Sequence, residues 1–160
     1  MTIKEGARLP DATLMQMTKD GPKPVKSAEF FKGKKVALFA VPGAFTPTCS
    51  AKHLPGFVPH AGDLKKKGID EIACVSVNDA FVMGAWGEDQ KTEGKVAMLA
   101  DGNGEFTKAL GLELDGKGFG MGTRSQRYSM IVDDGVVKTL NVEPSGEFGV
   151  STAEHMLGQL

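Results

Sequence analysis

Apolar residues in this chain collect in short dense runs, within 36–41, 71–77 and 96–100, instead of spreading into long amphipathic stripes. Runs of that length suit strands buried on both faces of a parallel sheet, where neither face meets water. The segment 50–67 reads as a helix, but Pro55 and Pro59 fall inside it and predict a kink or a break. Asn78 or Asp79 can cap a second helix running to about residue 91. A turn at Asp101 and Gly102 then leads into a short helix over 105–110 that Gly111 ends. The pattern closes with two strands, 127–132 and 136–142, joined through Asp133, Asp134 and Gly135, where the glycine supplies the positive φ of a tight hairpin. Alternating strands and helices followed by antiparallel strands predict an α/β protein with a central mixed sheet flanked by helices.

Composition narrows the reading. A chain of 160 residues, 41% hydrophobic and 24% charged, suits one globular domain over 1–160. Lys and Arg total 19 against 20 acidic residues, and a net charge of -1 offers no footprint for nucleic acid or an anionic membrane. The one basic run, Lys65 to Lys67, sits before Gly68 where a helix C-terminus welcomes cations. No stretch approaches the ~18 apolar residues of a membrane span, and the first residues lack the apolar core of a secretory signal. Two cysteines cannot build a disulfide framework, which agrees with a reducing compartment, so the expected location is the cytoplasm. Gly118, Gly120 and Gly122 form a loop whose spacing fits neither the dinucleotide nor the P-loop pattern.

Candidate chemistry gathers where the first buried run ends. Pro42 and Gly43 stop the strand, Thr46 is placed as an N-cap whose oxygen can accept a backbone N–H, and Pro47 pre-sets a helical φ. Cys49 then falls in the first helical turn, where unpaired N–H groups and the helix dipole favour a thiolate. His53, four residues on, shares its helical face. That spacing fits an ion pair, the Cys-His pair of a hydrolase, or two ligands of a metal site. The metal reading needs further ligands, and the hydrolase needs an oxyanion hole and an orienting third group, neither of them visible. Cys74 lies among apolar neighbours and reads as a core residue.

The spacing Pro42-x-x-x-Thr46-x-x-Cys49 resembles the peroxidatic signature of the peroxiredoxins. The longer wording from Val41 to Ser50, the following His53-Leu54-Pro55-Gly56-Phe57, and the later stretches 75–81, 93–96, 127–130 and 140–144 resemble the peroxiredoxin five, or type II, subfamily. The resemblance implies a thioredoxin-like fold with N-terminal additions. It also implies a thiol peroxidase acting on hydrogen peroxide and organic hydroperoxides without metal, flavin or haem, and a homodimer with Phe45 and Trp86 near its interface or in the core. In that reading Cys49 is the nucleophile, the Thr46 hydroxyl meets sulfur and peroxide, Pro42 shields the thiolate, and Arg127 stabilises thiolate and transition state. Arg124 is a weaker candidate for the same task, and His53 is auxiliary. Some relatives carry a resolving cysteine near the C-terminus, but Ser151 stands at about that place. A one-cysteine cycle served by an external thiol follows, either glutathione with glutaredoxin or thioredoxin. A redox sensor using the same oxidised sulfur is the remaining alternative.

Overall fold

The computed structural model describes residues 1–160. Its first strands, β1 (Thr13–Thr18) and β2 (Gly21–Lys26), form an antiparallel hairpin, followed by the short helix α1 (Ser27–Phe31). Pro22 and Pro24 donate no ladder hydrogen bond, and β2 accordingly lies at the edge of the sheet. The run at 36–41 is β3 (Lys35–Val41), whose Val36, Leu38 and Ala40 face one core layer while Ala37, Phe39 and Val41 face the other. Burial on both faces is what its unbroken apolar sequence requires.

The predicted interruption after β3 is a break. Cys49–His53 winds as a π-helical turn, α2 (Leu54–Phe57) follows with Pro55 in its first turn, and α3 (Ala61–Lys66) starts only after a turn containing Pro59. The backbone stays helical from 47 to 57, and the widened turn in which the Leu54 N–H reaches back to the Cys49 carbonyl accommodates Pro55 inside it. Lys65 and Lys66 lie in the last turn of α3, as their charge favours.

β4 (Glu71–Ser76), α4 (Ala80–Asp89) and β5 (Ala97–Ala100) continue the alternation, with the Asp79 carboxylate accepting from the Val82 N–H at 2.8 Å as the cap of α4. α5 (Glu105–Leu110) ends at Gly111, whose φ of 71 is the left-handed cap glycine allows. The glycine-bearing loop lies between β6 (Glu113–Asp115) and β7 (Thr123–Ser125), a small separate sheet. β8 (Tyr128–Asp133) and β9 (Val136–Val142) make the expected hairpin, turning through Asp134 at φ 48 and Gly135 at φ 79. The chain does not close there: α6 (Ala153–Leu157) follows, capped by the Thr152 hydroxyl.

The main sheet runs β2-β1-β5-β4-β3-β8-β9. β3 pairs in parallel with β4, and β4 with β5, while β1, β8 and β9 add antiparallel strands on either side. Phe39 stacks on Phe57 at 4.1 Å, joining β3 to α2 in the layer that also holds Cys49, Cys74 and Trp86. No helix is long and apolar enough to cross a membrane.

Candidate active site

Strand parity carries Arg127 to Cys49. β8 runs antiparallel to β3 with Tyr128 opposite Ala40, so the residue before Tyr128 stands where β3 ends and the thiol-bearing segment begins. Tyr128 points into the α5 layer, and its predecessor, one position earlier, points to the opposite face, where Cys49 lies. The Arg127 Nη2 donates to the Cys49 sulfur at 3.0 Å. A fixed guanidinium at that distance presents a charged donor to the sulfur and to any oxygen brought against it.

Arg127 Nη1 donates to His53 Nδ1 at 2.8 Å, and His53 Nε2 meets the Ser151 carbonyl at 2.9 Å. The carbonyl can only accept and the guanidinium can only donate, so His53 must carry its proton on Nε2 and offer a lone pair at Nδ1. Burial, reinforced by the Arg127 charge, pushes the His53 pKa down to about 3, against an ordinary value of 6.5. His53 is therefore neutral and bonded to Arg127 rather than to sulfur, which corrects the ion-pair and Cys-His hydrolase readings. His60, the other histidine nearby in sequence, bonds Asp63 at 3.2 Å and Glu154 at 3.1 Å.

A pH prediction follows from His53. Its folded pKa lies below the unfolded one, so the unfolded chain binds the proton first as pH falls. The contribution of neutral His53 to stability is complete above about 6.5 and is lost as pH drops toward 3. Urea midpoints should decline through that window, and His53→Gln should flatten the decline between pH 6.5 and 5.

Thr46 departs from its expected bonding. Its hydroxyl donates to the Gly43 carbonyl at 2.6 Å instead of accepting a helix N–H, because the chain folds back through a tight turn in which Thr46 Cγ2 lies 3.0 Å from the place a Gly43 Cβ would occupy. With its proton committed, the Thr46 oxygen keeps lone pairs for a donor entering the site. No hydrogen bond joins it to Cys49 in the resting geometry. Pro42 lies at the end of β3, and Arg124 donates through Nη1 to its carbonyl at 3.4 Å and through Nε to the Met121 carbonyl at 2.9 Å. Arg124 thus braces the turn and does not reach the sulfur.

Cys74 is buried opposite Phe39 in the β3–β4 ladder. Burial first, and the nearby Cys49 second, push its pKa well up, so it stays a thiol. Trp86 Nε1 donates to Ser50 Oγ at 3.0 Å, placing the only tryptophan beside the reactive turn. Glu143, which the sequence offers only as part of the 140–144 stretch, holds the segment that carries Ser151. Its Oε2 accepts from the Gly149 N–H at 2.8 Å, the Ser151 N–H at 2.8 Å and the Ser151 hydroxyl at 2.6 Å.

A mixed sheet of this topology, with a cation-paired cysteine in the helical turn after a central strand, defines a thiol-redox enzyme of the thioredoxin-like fold. The Redoxin family model matches residues 4–157. Peroxiredoxin-2E, chloroplastic, of Arabidopsis thaliana is 55% identical over 163 residues, covering 99% of this chain and 70% of that one. Reduced Prx3 in complex with H2O2 from Vibrio vulnificus is 61% identical with a TM-score of 0.95, covering 99% of each chain. Peroxiredoxin 5 from Alvinella pompejana is 38% identical with a TM-score of 0.84, covering 97% of this chain and 96% of that one. The chain belongs to the peroxiredoxins, in their type II or peroxiredoxin five branch, and is a thiol-dependent peroxidase.

Proposed function

We propose that Cys49 is the peroxidatic nucleophile of a one-cysteine cycle that reduces hydrogen peroxide and organic hydroperoxides. The observation that carries this is the Arg127 Nη2 at 3.0 Å from the Cys49 sulfur. The thiolate attacks one peroxide oxygen, an S–O bond forms as the O–O bond breaks, and the electron pair leaves on the alkoxide or hydroxide, which takes up a proton. Thr46 accepts the peroxide O–H, Arg127 donates to the oxygens as charge builds on them, and Pro42 walls the turn against water. An external thiol then displaces water from the sulfenic acid to give a mixed disulfide. A second thiol releases the oxidised donor and restores the Cys49 thiol, so two thiols reduce one peroxide.

Cys74 is a poor resolving thiol for the reasons given by its burial, which favours an external reductant, glutathione with glutaredoxin or thioredoxin. The whole chain acts as one domain, in the reducing cytoplasm. Separate fractions of the source cell distinguish that location from an organelle. Exposed Phe45, at 52%, and Phe81, at 67%, flank the Ala44 N–H to Asn78 bond and support a homodimer across this face. Phe45 is moreover held at φ 64, a costly conformation for a bulky residue that directs it outward. A monomer in sedimentation equilibrium, with Phe81→Asp unchanged, would remove the dimer.

Peroxide titration tests the cycle. One equivalent should be consumed per chain, mass spectrometry should place one added oxygen on Cys49, and Trp86 fluorescence should change in step. Adding each candidate reductant alone then identifies the one that reverses the change. Modification on Cys74 instead, or no peroxide consumption, overturns the assignment.

A further inference from the structure

We propose that Glu143 is a positioning residue for the peroxide-reducing step, holding the Arg127 guanidinium on the Cys49 sulfur through Ser151 and His53. This rests on Cys49 being the nucleophile.

The β8–β9 pairing places Glu143 opposite Arg127, and its N–H donates to the Arg127 carbonyl at 2.9 Å. A carboxylate in that cross-strand position is the natural ion-pair partner for the arginine. Glu143 does not take that role. Its side chain turns to the 149–151 segment, and Arg127 has no carboxylate within ion-pair distance. A carboxylate directly on the guanidinium would compete with the thiolate for the same N–H groups, so this arrangement leaves the fork to sulfur.

What the carboxylate holds instead is the far end of a chain of obligatory donors and acceptors. Two bonds from Ser151 to Glu143 fix the orientation of that residue and hence of its carbonyl. The carbonyl takes the His53 Nε2 proton, which leaves Nδ1 as an acceptor for Arg127 Nη1. With one amino group tied to His53, the planar fork has its other amino group aimed at sulfur. Ser151, His53 and Cys49 are fully buried and Glu143 nearly so, so losing one partner leaves its neighbour short of a hydrogen bond. The Phe148 ring closes the network, with its centroid 5.1 Å from that of His53 and 5.7 Å from Arg127 Cζ. Burial alone would raise the Glu143 pKa, but the Ser151 hydroxyl and the N–H groups of Gly149, Ser151 and Val150 bring it below the ordinary value, so the carboxylate is ionised.

The test is the second-order rate constant for Cys49 oxidation by hydrogen peroxide, followed by stopped-flow Trp86 fluorescence. Glu143→Ala should slow it about 10- to 100-fold, the scale of a misplaced catalytic group. Glu143→Gln keeps an oxygen acceptor and should recover most of the rate. In an Arg127→Lys background, which has no fork to aim, Glu143→Ala should cost less than about threefold, a coupling that a merely structural role would not produce. An equal loss in both backgrounds, or a Glu143→Ala rate within twofold of the parent, overturns the proposal. Should Glu143→Ala not fold, Ser151→Ala takes its place: it removes one of the three bonds and should give a smaller loss that again vanishes in the Arg127→Lys background. Mass spectrometry of the parent protein separates the two hypotheses. Oxidation away from Cys49 defeats the nucleophile assignment, whereas Cys49 oxidation that is indifferent to Glu143 defeats only the positioning role.

Discussion

Cys49→Ser is expected to eliminate peroxide turnover with every thiol donor, a fall of at least about 10³-fold, as when an enzyme loses its nucleophile and keeps only its binding contacts. A hydroxyl in the same place is hardly ionised near neutral pH, and oxygen lacks the polarisable lone pair with which sulfur attacks an O–O bond. The substitution keeps the shape of the turn, so near-ultraviolet circular dichroism should remain that of the parent. Cys74 provides the contrast. It is buried in β4 with its pKa pushed well up by that burial, and the proposed cycle gives it no attacking role. Cys74→Ala should retain most of the turnover, and it is a better control than Cys74→Ser, which buries a hydroxyl at a cost of about 1–3 kcal/mol if unpaired. Coupled assays with each reductant decide the matter. Residual activity in Cys49→Ser above a few per cent of the parent would place the chemistry elsewhere.

Much of this architecture could be read from local pattern because the features concerned are local. The both-faces burial of β3 shows in six consecutive apolar residues, and the Asp134-Gly135 turn shows in two residues suited to positive φ. Cys49 could be found because the strand, the proline-framed turn and the helix start are adjacent in sequence. Arg127 required the family resemblance, since its approach depends on β8 pairing with β3 across about ninety intervening residues. The partners of His53 are hidden for a related reason. Its spacing from Cys49 suggested a direct contact, but its two ring nitrogens are claimed by Arg127 and Ser151, which lie 74 and 98 residues away. Glu143 was invisible because its importance arises only when the 149–151 segment folds back over the hairpin. The β1–β2 hairpin and α6 escaped notice because prolines weaken the strand signal of β2 and because α6 is only five residues long.

The second large effect is expected at Arg127. Arg127→Gln removes the positive charge beside sulfur while keeping an amide donor for His53, so the buried network remains partly satisfied and the fold survives. The loss should therefore appear in chemistry: the rate constant for oxidation by hydrogen peroxide should fall about 10²- to 10³-fold, as when one preorganised donor to a developing charge is removed. Arg127→Lys restores charge without the fork. An ammonium cannot donate in one plane to both His53 Nδ1 and the sulfur at the observed 2.8 and 3.0 Å, so it should recover only part of the rate. The order parent, lysine, glutamine separates charge from geometry. If the two variants are equally slow, the fork dominates; if lysine restores the parent rate, charge alone suffices and the alignment set by His53 has no catalytic consequence. A glutamine variant that reacts within threefold of the parent would mean that sulfur needs no guanidinium, and the contact at 3.0 Å would then be structural.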